Sequence, residues 1–122
     1  MKTLPSSLRP RNRYLAIEII TEREVSREEL LREIFSAIGS LYGDIGSSEC
    51  GVRLLDFGNQ KGILRCSHRM EERSRAALAT ITTIGGQRAI VHVLGISGTV
   101  KGATQKYISV QQYQNPSTLI YK

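Results

Sequence analysis

The densest group of reactive side chains is the run RCSHR at positions 65–69, which holds a thiol, an imidazole and two guanidinium groups. Such a run can form half of a metal site, a nucleophile with its base, or a patch of positive charge. A tetrahedral zinc site needs four ligands. The other histidine and cysteine, His92 and Cys50, lie in an apolar stretch and in a predicted loop. We therefore expect no metal site in this chain.

Cys66 and His68 form the candidate catalytic pair. Thiol catalysis requires a nearby base and a third group that orients this base. The chain is predicted to turn from a strand into a helix between the two residues, which would separate their side chains. Cys66 falls on the same side of the strand as Leu64, so we predict that it fills the core. We expect no catalytic residue in this chain. The alternative is that the protein is an enzyme that uses Cys66 and His68.

Charge is distributed unevenly along the sequence. Residues 1–13 carry +4, residues 14–60 carry −5 and residues 61–122 carry +7, which gives the net charge of +6. Arginine outnumbers lysine twelve to five, and arginine favours forked contacts with phosphate. Together with a pI near 9.7, this segregation is typical of a protein that binds a polyanion. A basic protein that binds no polyanion is the alternative.

The candidate phosphate contacts lie in three places. The first is the basic start of the chain. The second is the group Arg65, His68 and Arg69, where a strand meets a helix N-terminus whose free N–H groups favour anions. The third is the glycine-rich stretch GISGTVKG, in which loop amides and Lys101 would hold a phosphate. This stretch lacks the spacing of a P-loop, so nucleotide hydrolysis is not expected.

The first half of the chain predicts a strand and a helix. RYLAIEIIT alternates apolar and polar residues, as a half-buried strand does. Ser26 and Glu29 form a capping box, after which apolar residues recur at helical spacing. The helix is predicted to end at Gly43, a natural C′ residue. Residues 44–51 are predicted to form a loop.

The second half predicts a hairpin, a helix, a strand and a final helix. The short strands VRLLDF and GILRC flank GNQK, which resembles a hairpin turn. Ser67 is the predicted N-cap of the second helix and Gly85-Gly86 its stop. RAIVHVLGIS is then predicted to form a buried strand. The residues after Val100 fit a helix, although KYISV also fits a strand.

The predicted order β-α-β-β-α-β is that of an α+β, ferredoxin-like (RNA-recognition-motif-like) sandwich with a four-stranded antiparallel sheet. A C-terminal helix follows it. We divide the chain into a basic N-terminal arm (1–12), a ferredoxin-like domain (13–97) and a glycine-rich loop with a C-terminal element (98–122). The third strand lacks the stacking aromatic residues of RNA-recognition motifs, so base stacking on this sheet is not expected.

The sheet face that lies away from the helices is predicted to be largely apolar. Such a patch on a soluble protein usually marks a contact with a partner. The alternative is that the C-terminal element folds back and covers this face. The predicted partner-contact residues are Tyr14, Ile63, Ile90 and Leu94.

Three motifs in a fixed order resemble a known family. LRPRNRYLAIEI, GILRC before a helix with RAALATI, and LGISGTVKGATQKYI are similar to archaeal members of the ribonuclease P protein component 2 family. This family is shared with eukaryotic ribonuclease P/MRP. The resemblance covers nearly the whole chain and implies a ferredoxin-like fold. It also implies a subunit of the ribonucleoprotein that removes 5′ leaders from precursor tRNA, in which the RNA subunit uses Mg²⁺ for cleavage and this chain binds no cofactor.

The resemblance further implies partners and contact residues. The implied partners are ribonuclease P RNA and ribonuclease P protein component 3, with a homodimer of this chain inside a heterotetramer as a further expectation. Precursor tRNA would be contacted indirectly. The matching basic positions are Arg9, Arg13, Arg65 and Lys101. The complete set of expected RNA-binding residues is Arg9, Arg11, Arg13, Arg65, His68, Arg69 and Lys101.

The sequence also predicts where the protein works. No apolar run approaches the roughly 20 residues of a membrane span, and the basic start is not followed by the apolar segment of a signal peptide. Two cysteines are too few for a disulfide framework. We therefore expect a cytoplasmic protein that does not enter the membrane. A small-molecule sensor with the same fold is a further alternative to RNA binding.

Overall fold

The computed structural model of the chain describes residues 11–109, and the elements follow one another in nearly the predicted order. The strands and helices are β1 (Asn12–Ile20), α1 (Arg27–Cys50), β2 (Arg53–Gly58), β3 (Lys61–Ser67), α2 (Glu71–Ala79), β4 (Thr83–Ile84), β5 (Gln87–Arg88), β6 (Ile90–Ser97) and α3 (Val100–Ala103). A π-helical segment, Thr104–Ser109, directly continues α3. We call residues 100–109 the C-terminal helix.

The main sheet has the strand order β2-β3-β1-β6, and all its neighbouring strands are antiparallel. The first strand therefore lies in the middle, paired with both β3 and β6, which is the ferredoxin-like arrangement. The short strands β4 and β5 pair with each other in a separate two-stranded sheet. The predicted fold class is confirmed, and the small hairpin is an addition to it.

The main core lies between one face of the sheet and the helices α1 and α2. Leu15 and Ile17 on β1 have no exposed surface, and neither do Ile34 on α1 and Leu64 on β3. Leu78 on α2 is 1% exposed and belongs to the same cluster. Burying one such side chain contributes about 1.5–3 kcal/mol to the free energy of unfolding. The buried apolar residues on this side of the sheet thus form one core cluster.

The helix α1 is longer than the sequence predicted. Its capping box at Ser26 and Glu29 is present, and Gly43 does break the helix, with φ 71° and ψ −173°. The helix then resumes and ends at Cys50, so the predicted loop at residues 44–51 is wrong. Cys50 has no exposed surface and packs in the main core. This long-range contact, which local periodicity does not show, holds the second helical segment in place.

The helix α2 is shorter than predicted, because it begins at Glu71 and ends at Ala79. The predicted cap Ser67 still belongs to β3, and the actual N-cap residue Met70 makes no side-chain capping bond. Gly85-Gly86 does not stop a helix. With φ values of 59° and 81°, these glycines form the turn between β4 and β5. The left-handed region that both residues occupy strongly favours glycine.

The C-terminal helix covers the other face of the sheet. Ala16 and Ile63 are 0% and 2% exposed, and they form a second core cluster with Ala103 of α3. Tyr107 packs against this cluster, and a Cβ atom at Gly95 would collide with the Tyr107 ring. Glycine at position 95 therefore lets the aromatic ring lie directly on the backbone of β6.

The sheet face away from α1 and α2 was predicted to be exposed and to contact a partner, and this prediction is wrong where the C-terminal helix covers the face. Ile63 is buried, and Tyr14 and Leu94 pack beneath Tyr107 and Ile108, so this part of the face is closed within the chain itself. The alternative, in which the C-terminal element folds back, is observed for residues 100–109, and the rest of that element lies outside the described residues. Burying an apolar face within one chain avoids the entropy cost of association. Ile90 lies outside the cover and is 59% exposed, so its contact with a partner stays a prediction.

Candidate nucleic-acid interface

Arg65 lies on the covered side of the sheet, because its neighbours Leu64 and Cys66 point into the main core. Its direct cross-strand neighbours are Tyr14 on β1 and Arg53 on β2. The Arg65 Nε atom is buried without a hydrogen-bond partner. Within residues 11–109, no carboxylate forms an ion pair with Arg65. Its positive charge is therefore available to an external anion.

Arg11 and Arg13 fix the start of β1 against the turn that follows β3. The Arg13 Nε atom lies 3.5 Å from a carboxylate oxygen of Glu71, in the first turn of α2. The backbone N–H of His68 donates to the carbonyl of Arg11 over 3.0 Å. Arg13 thus shares its charge with a protein carboxylate, whereas Arg11 is exposed. The remaining arm residue of the predicted set, Arg9, lies outside the described residues.

His68 and Arg69, which the sequence predicted to open the second helix, instead lie just before α2, and this helix N-terminus already has carboxylates beside it. Glu71 and Glu72 occupy the first turn of α2, where they interact with the positive end of the helix dipole. Arg69 is exposed and has a φ of 71°. The predicted combination of a free helix end with basic side chains is therefore weakened, and phosphate binding by His68 and Arg69 stays a prediction.

Lys101 lies in α3 rather than in an open loop. The Thr99 side chain accepts a hydrogen bond from the Gly102 N–H at 2.9 Å, and the Thr99 carbonyl accepts one from the Ala103 N–H at 3.0 Å. These amides cap and form the helix, so the predicted cradle of free loop amides is wrong here. Lys101 itself is exposed. A Cβ atom on Gly102 would meet the Ser97 hydroxyl, which places this turn against the end of β6.

The structure brings three basic residues to one end of the covered face. Arg53, Arg65, Tyr14 and Ser97 are directly paired across the four strands of the sheet. Lys101 continues this row, since its neighbour Gly102 contacts Ser97. Arg13 is separated from them, because it faces α2.

Sequence reasoning missed Arg53. The residue lies in the part of the chain whose net charge is −5, and it belongs to a short strand that carries no recognisable motif. Only the pairing of β2 with β3 places it beside Arg65. A signal was nevertheless present. Arg53 alternates with the apolar Leu54 in the predicted strand VRLLDF, so assigning the hairpin register would have placed it opposite Arg65 on the same face.

The two cysteines lie in the core. Cys50 and Cys66 have no exposed surface, and both lie near the Ser74 hydroxyl. Burial raises the pKa of the Cys66 thiol to about 11, and the nearby Ser74 hydroxyl opposes this effect only in part. Burial also raises the pKa of Cys50. Because the thiolate is the nucleophile, Cys66 is unreactive at neutral pH, and its predicted role as a core residue is confirmed.

Other kinds of site have little support in the part of the chain that the structure covers. No three metal-ligating side chains (His, Cys, Asp or Glu) lie together among residues 11–109. Over the same range, no helix combines the length and the apolar composition of a membrane span.

An open groove of about 700 Å³ lies between the end of α2 and β6. It is lined mainly by apolar side chains, including Ile20 and Ile90.

Comparison of the sequence with known proteins gives one family. The model of the Rpp14/Pop5 family matches residues 13–108. Ribonuclease P protein component 2 of Methanosarcina mazei is 50% identical over 108 residues, which cover 88% of this chain and 93% of the relative. The Archaeoglobus fulgidus protein of the same name is 39% identical over 110 residues, which cover 90% of this chain and 100% of the relative.

A solved structure supports the fold. A chain of yeast ribonuclease MRP, determined by cryo-electron microscopy, superposes with a TM-score of 0.62. The match covers 89% of this chain and 95% of the yeast chain at 12% sequence identity, so it supports the fold alone. The family model and the archaeal relatives, by contrast, establish descent. The chain belongs to the Rpp14/Pop5 family, the family of ribonuclease P protein component 2.

Proposed function

We propose that this chain is a protein subunit of ribonuclease P, the ribonucleoprotein that removes 5′ leaders from precursor tRNA. It binds and supports the catalytic RNA through its basic residues. Family membership and the archaeal relatives named ribonuclease P protein component 2 support this role. The structural observation that carries it is the guanidinium of Arg65, which has no carboxylate partner among residues 11–109 and lies directly opposite Arg53.

In this proposal, the RNA performs the chemistry and the protein supplies positive charge. RNA segments that fold together repel each other through their phosphates, and basic side chains that contact phosphates reduce this repulsion. Mg²⁺ serves the catalytic RNA in the same complex and is not held by this chain. The buried, protonated thiol of Cys66 supports this division, since it removes the candidate nucleophile.

The proposed protein partners are ribonuclease P protein component 3 and, within a heterotetramer, a second copy of this chain. The C-terminal helix closes the face around Ile63. The partner therefore contacts apolar side chains that are still exposed. These are the predicted contact Ile90, which is 59% exposed, and its cross-strand neighbour Ile20, which is 50% exposed. The proposed place of action is the cytoplasm.

Reconstitution tests the function. Ribonuclease P RNA from Methanosarcina mazei is combined with the protein components of that organism, with this chain in place of its component 2. We expect 5′-leader removal from a precursor tRNA to depend on this chain, and to fall at least tenfold when it is omitted. Cleavage that proceeds equally well without the chain, at limiting Mg²⁺, would show that it is not a working subunit.

A further inference from the structure

Two arginines from the two strands of one hairpin are direct neighbours in the sheet. Arg53 begins β2 and Arg65 lies in β3, and the antiparallel register pairs their Cα atoms. Directly opposite residues in such a pair have Cβ atoms about 5 Å apart. The next residues along the strands, Leu54 and Leu64, are also paired, and both point into the main core. Both guanidinium groups therefore lie on the other side of the sheet.

This pair is unfavourable for the protein on its own. Like charges directly opposite each other in a sheet destabilise it. Over residues 11–109, the ion pairs join Arg13 to Glu71 and Arg73 to Glu49, and neither involves Arg53 or Arg65. No carboxylate of the described domain thus offsets the repulsion between the two guanidinium groups.

The surroundings of Arg65 favour an external anion. Its Nε is buried and makes no hydrogen bond, so this atom has lost water without gaining a protein acceptor. On the side opposite Arg53, its neighbour is Tyr14, which packs against the apolar cluster beneath the C-terminal helix. Electrostatic attraction is stronger where water is partly excluded. Arg53 is exposed, so the pair is open on the β2 side.

We propose that Arg53 and Arg65 together clamp a single phosphodiester group of the RNA backbone. A guanidinium forms two parallel N–H···O bonds with phosphate oxygens. Two arginine side chains whose Cβ atoms are about 5 Å apart can hold one phosphodiester from both sides, since it offers two non-bridging oxygens. The negative charge between them also removes their repulsion. This inference rests on the proposed function, and it adds Arg53 to the contacts that the sequence predicted.

The test measures how binding depends on salt. Each neutralised phosphate contributes about 0.7–0.9 to the slope of log K against log salt. With two arginines on one phosphate, either single variant, Arg53→Gln or Arg65→Gln, keeps nearly the full slope and loses roughly tenfold in affinity. The double variant loses one contact, about 0.7–0.9 in slope. The probe is fluorescently labelled ribonuclease P RNA of Methanosarcina mazei, and the readout is fluorescence anisotropy.

Control variants separate position from net charge. Arg32→Gln removes the same charge from an exposed residue of α1, a helix packed on the opposite face of the sheet, and we expect it to bind like the wild type. Arg53→Glu changes an exposed residue and keeps the test valid if Arg65→Gln fails to fold. Its carboxylate would pair with Arg65. We therefore expect the slope of log K against log salt to fall by about 0.7–0.9, the value for one phosphate, while the thermal midpoint of unfolding does not decrease.

Each outcome has a separate meaning. If the wild type binds the RNA but the Arg53 variants behave like Arg32→Gln, the clamp is overturned and the proposed function stands. A loss of two contacts in the double variant, one from each residue, means that the arginines hold different phosphates, which also overturns the clamp. If the wild type itself shows no salt-dependent binding, the proposed function fails, and the clamp with it.

Discussion

Cys66 and Arg65 are neighbours on β3, yet their side chains lie on opposite faces of the sheet and meet opposite environments. The thiol faces the main core, where burial raises its pKa to about 11. The guanidinium faces the side that carries Arg53, and it has no carboxylate partner among the described residues. At the scale of single residues, strand alternation separates a thiol buried in the core from a guanidinium that has no carboxylate partner among the described residues.

The raised pKa of Cys66 predicts a pH dependence of stability. In the unfolded chain this thiol loses its proton near pH 9, whereas in the folded protein it keeps the proton up to about pH 11. The stability that it contributes is thus complete below pH 9 and is lost as the pH rises through 11, at most about 2–3 kcal/mol. Urea unfolding between pH 8 and pH 11 should show a smaller decline for Cys66→Ala than for the wild type. Equal declines in the free energy of unfolding would contradict the raised pKa of Cys66.

Lys101 predicts an effect on activity that divalent cations partly correct. Lys101→Ala should lower precursor-tRNA cleavage by the reconstituted enzyme, because one positive charge near the RNA is lost. Additional Mg²⁺ should restore part of the rate, since it replaces the missing charge. Lys106→Ala is the matched control, as this lysine is also exposed on the C-terminal helix. A loss that stays equal at every Mg²⁺ concentration would show that Lys101 acts in another way.

At the scale of elements, the C-terminal helix is the part that changes the surface most. It converts an apolar sheet face into a second core cluster around Ala16, Ile63 and Ala103. The contact depends on Gly95, where the Tyr107 ring lies against the backbone of β6. Because β6 also has a bulge at this point, opposite Ala16 and Ile17, the sheet edge bends where the aromatic ring is seated.

Gly95→Ala tests this contact directly. The added methyl group would collide with the Tyr107 ring and push the C-terminal helix off the sheet, at a cost of about 1–3 kcal/mol. Hydrogen exchange in residues 100–109 should accelerate, while exchange in α1 changes little. Gly98→Ala provides the control, because a Cβ atom at that position meets nothing within 4 Å. Equal protection of the helix in both variants would show that the ring contact does not hold it.

At the scale of the whole molecule, the basic row and the exposed apolar side chains lie in different regions of the surface. The row from Arg53 to Lys101 crosses one end of the sheet and suits RNA. The exposed apolar side chains Ile20 and Ile90 lie instead beside the groove between α2 and β6. The proposed RNA contact and the proposed protein contact can therefore be separated by substitution.

Ile90→Glu tests the protein contact. We expect light scattering to show a smaller assembly with protein component 3, because a charge replaces an exposed apolar contact. Circular dichroism should stay native, since the side chain is 59% exposed. Ile45→Glu, at an 80% exposed position on α1, is the control for the added charge. An unchanged assembly for Ile90→Glu would exclude this edge as the contact, whereas Leu94→Glu should instead destabilise the fold.

Local patterns in the sequence determined most of the fold. Alternation in β1, the capping box at Ser26 and Glu29, and the order of strands and helices predicted the ferredoxin-like sheet. These signals are reliable because side-chain periodicity follows directly from backbone geometry. The same alternation placed Cys66 in the core and Arg65 on the other face, so half of the arginine pair was recognisable from the sequence.

Only the tertiary structure decided which segments meet. The helix continues past Gly43 because Cys50 reaches the core, and the apolar sheet face is closed by the chain's own C-terminal helix rather than left for a partner. Arg53 joins Arg65 through strand register. Periodicity records which side of an element is apolar, but it carries no information about what covers that side. Contacts between distant segments depend on packing and pairing, and these are properties of the folded chain.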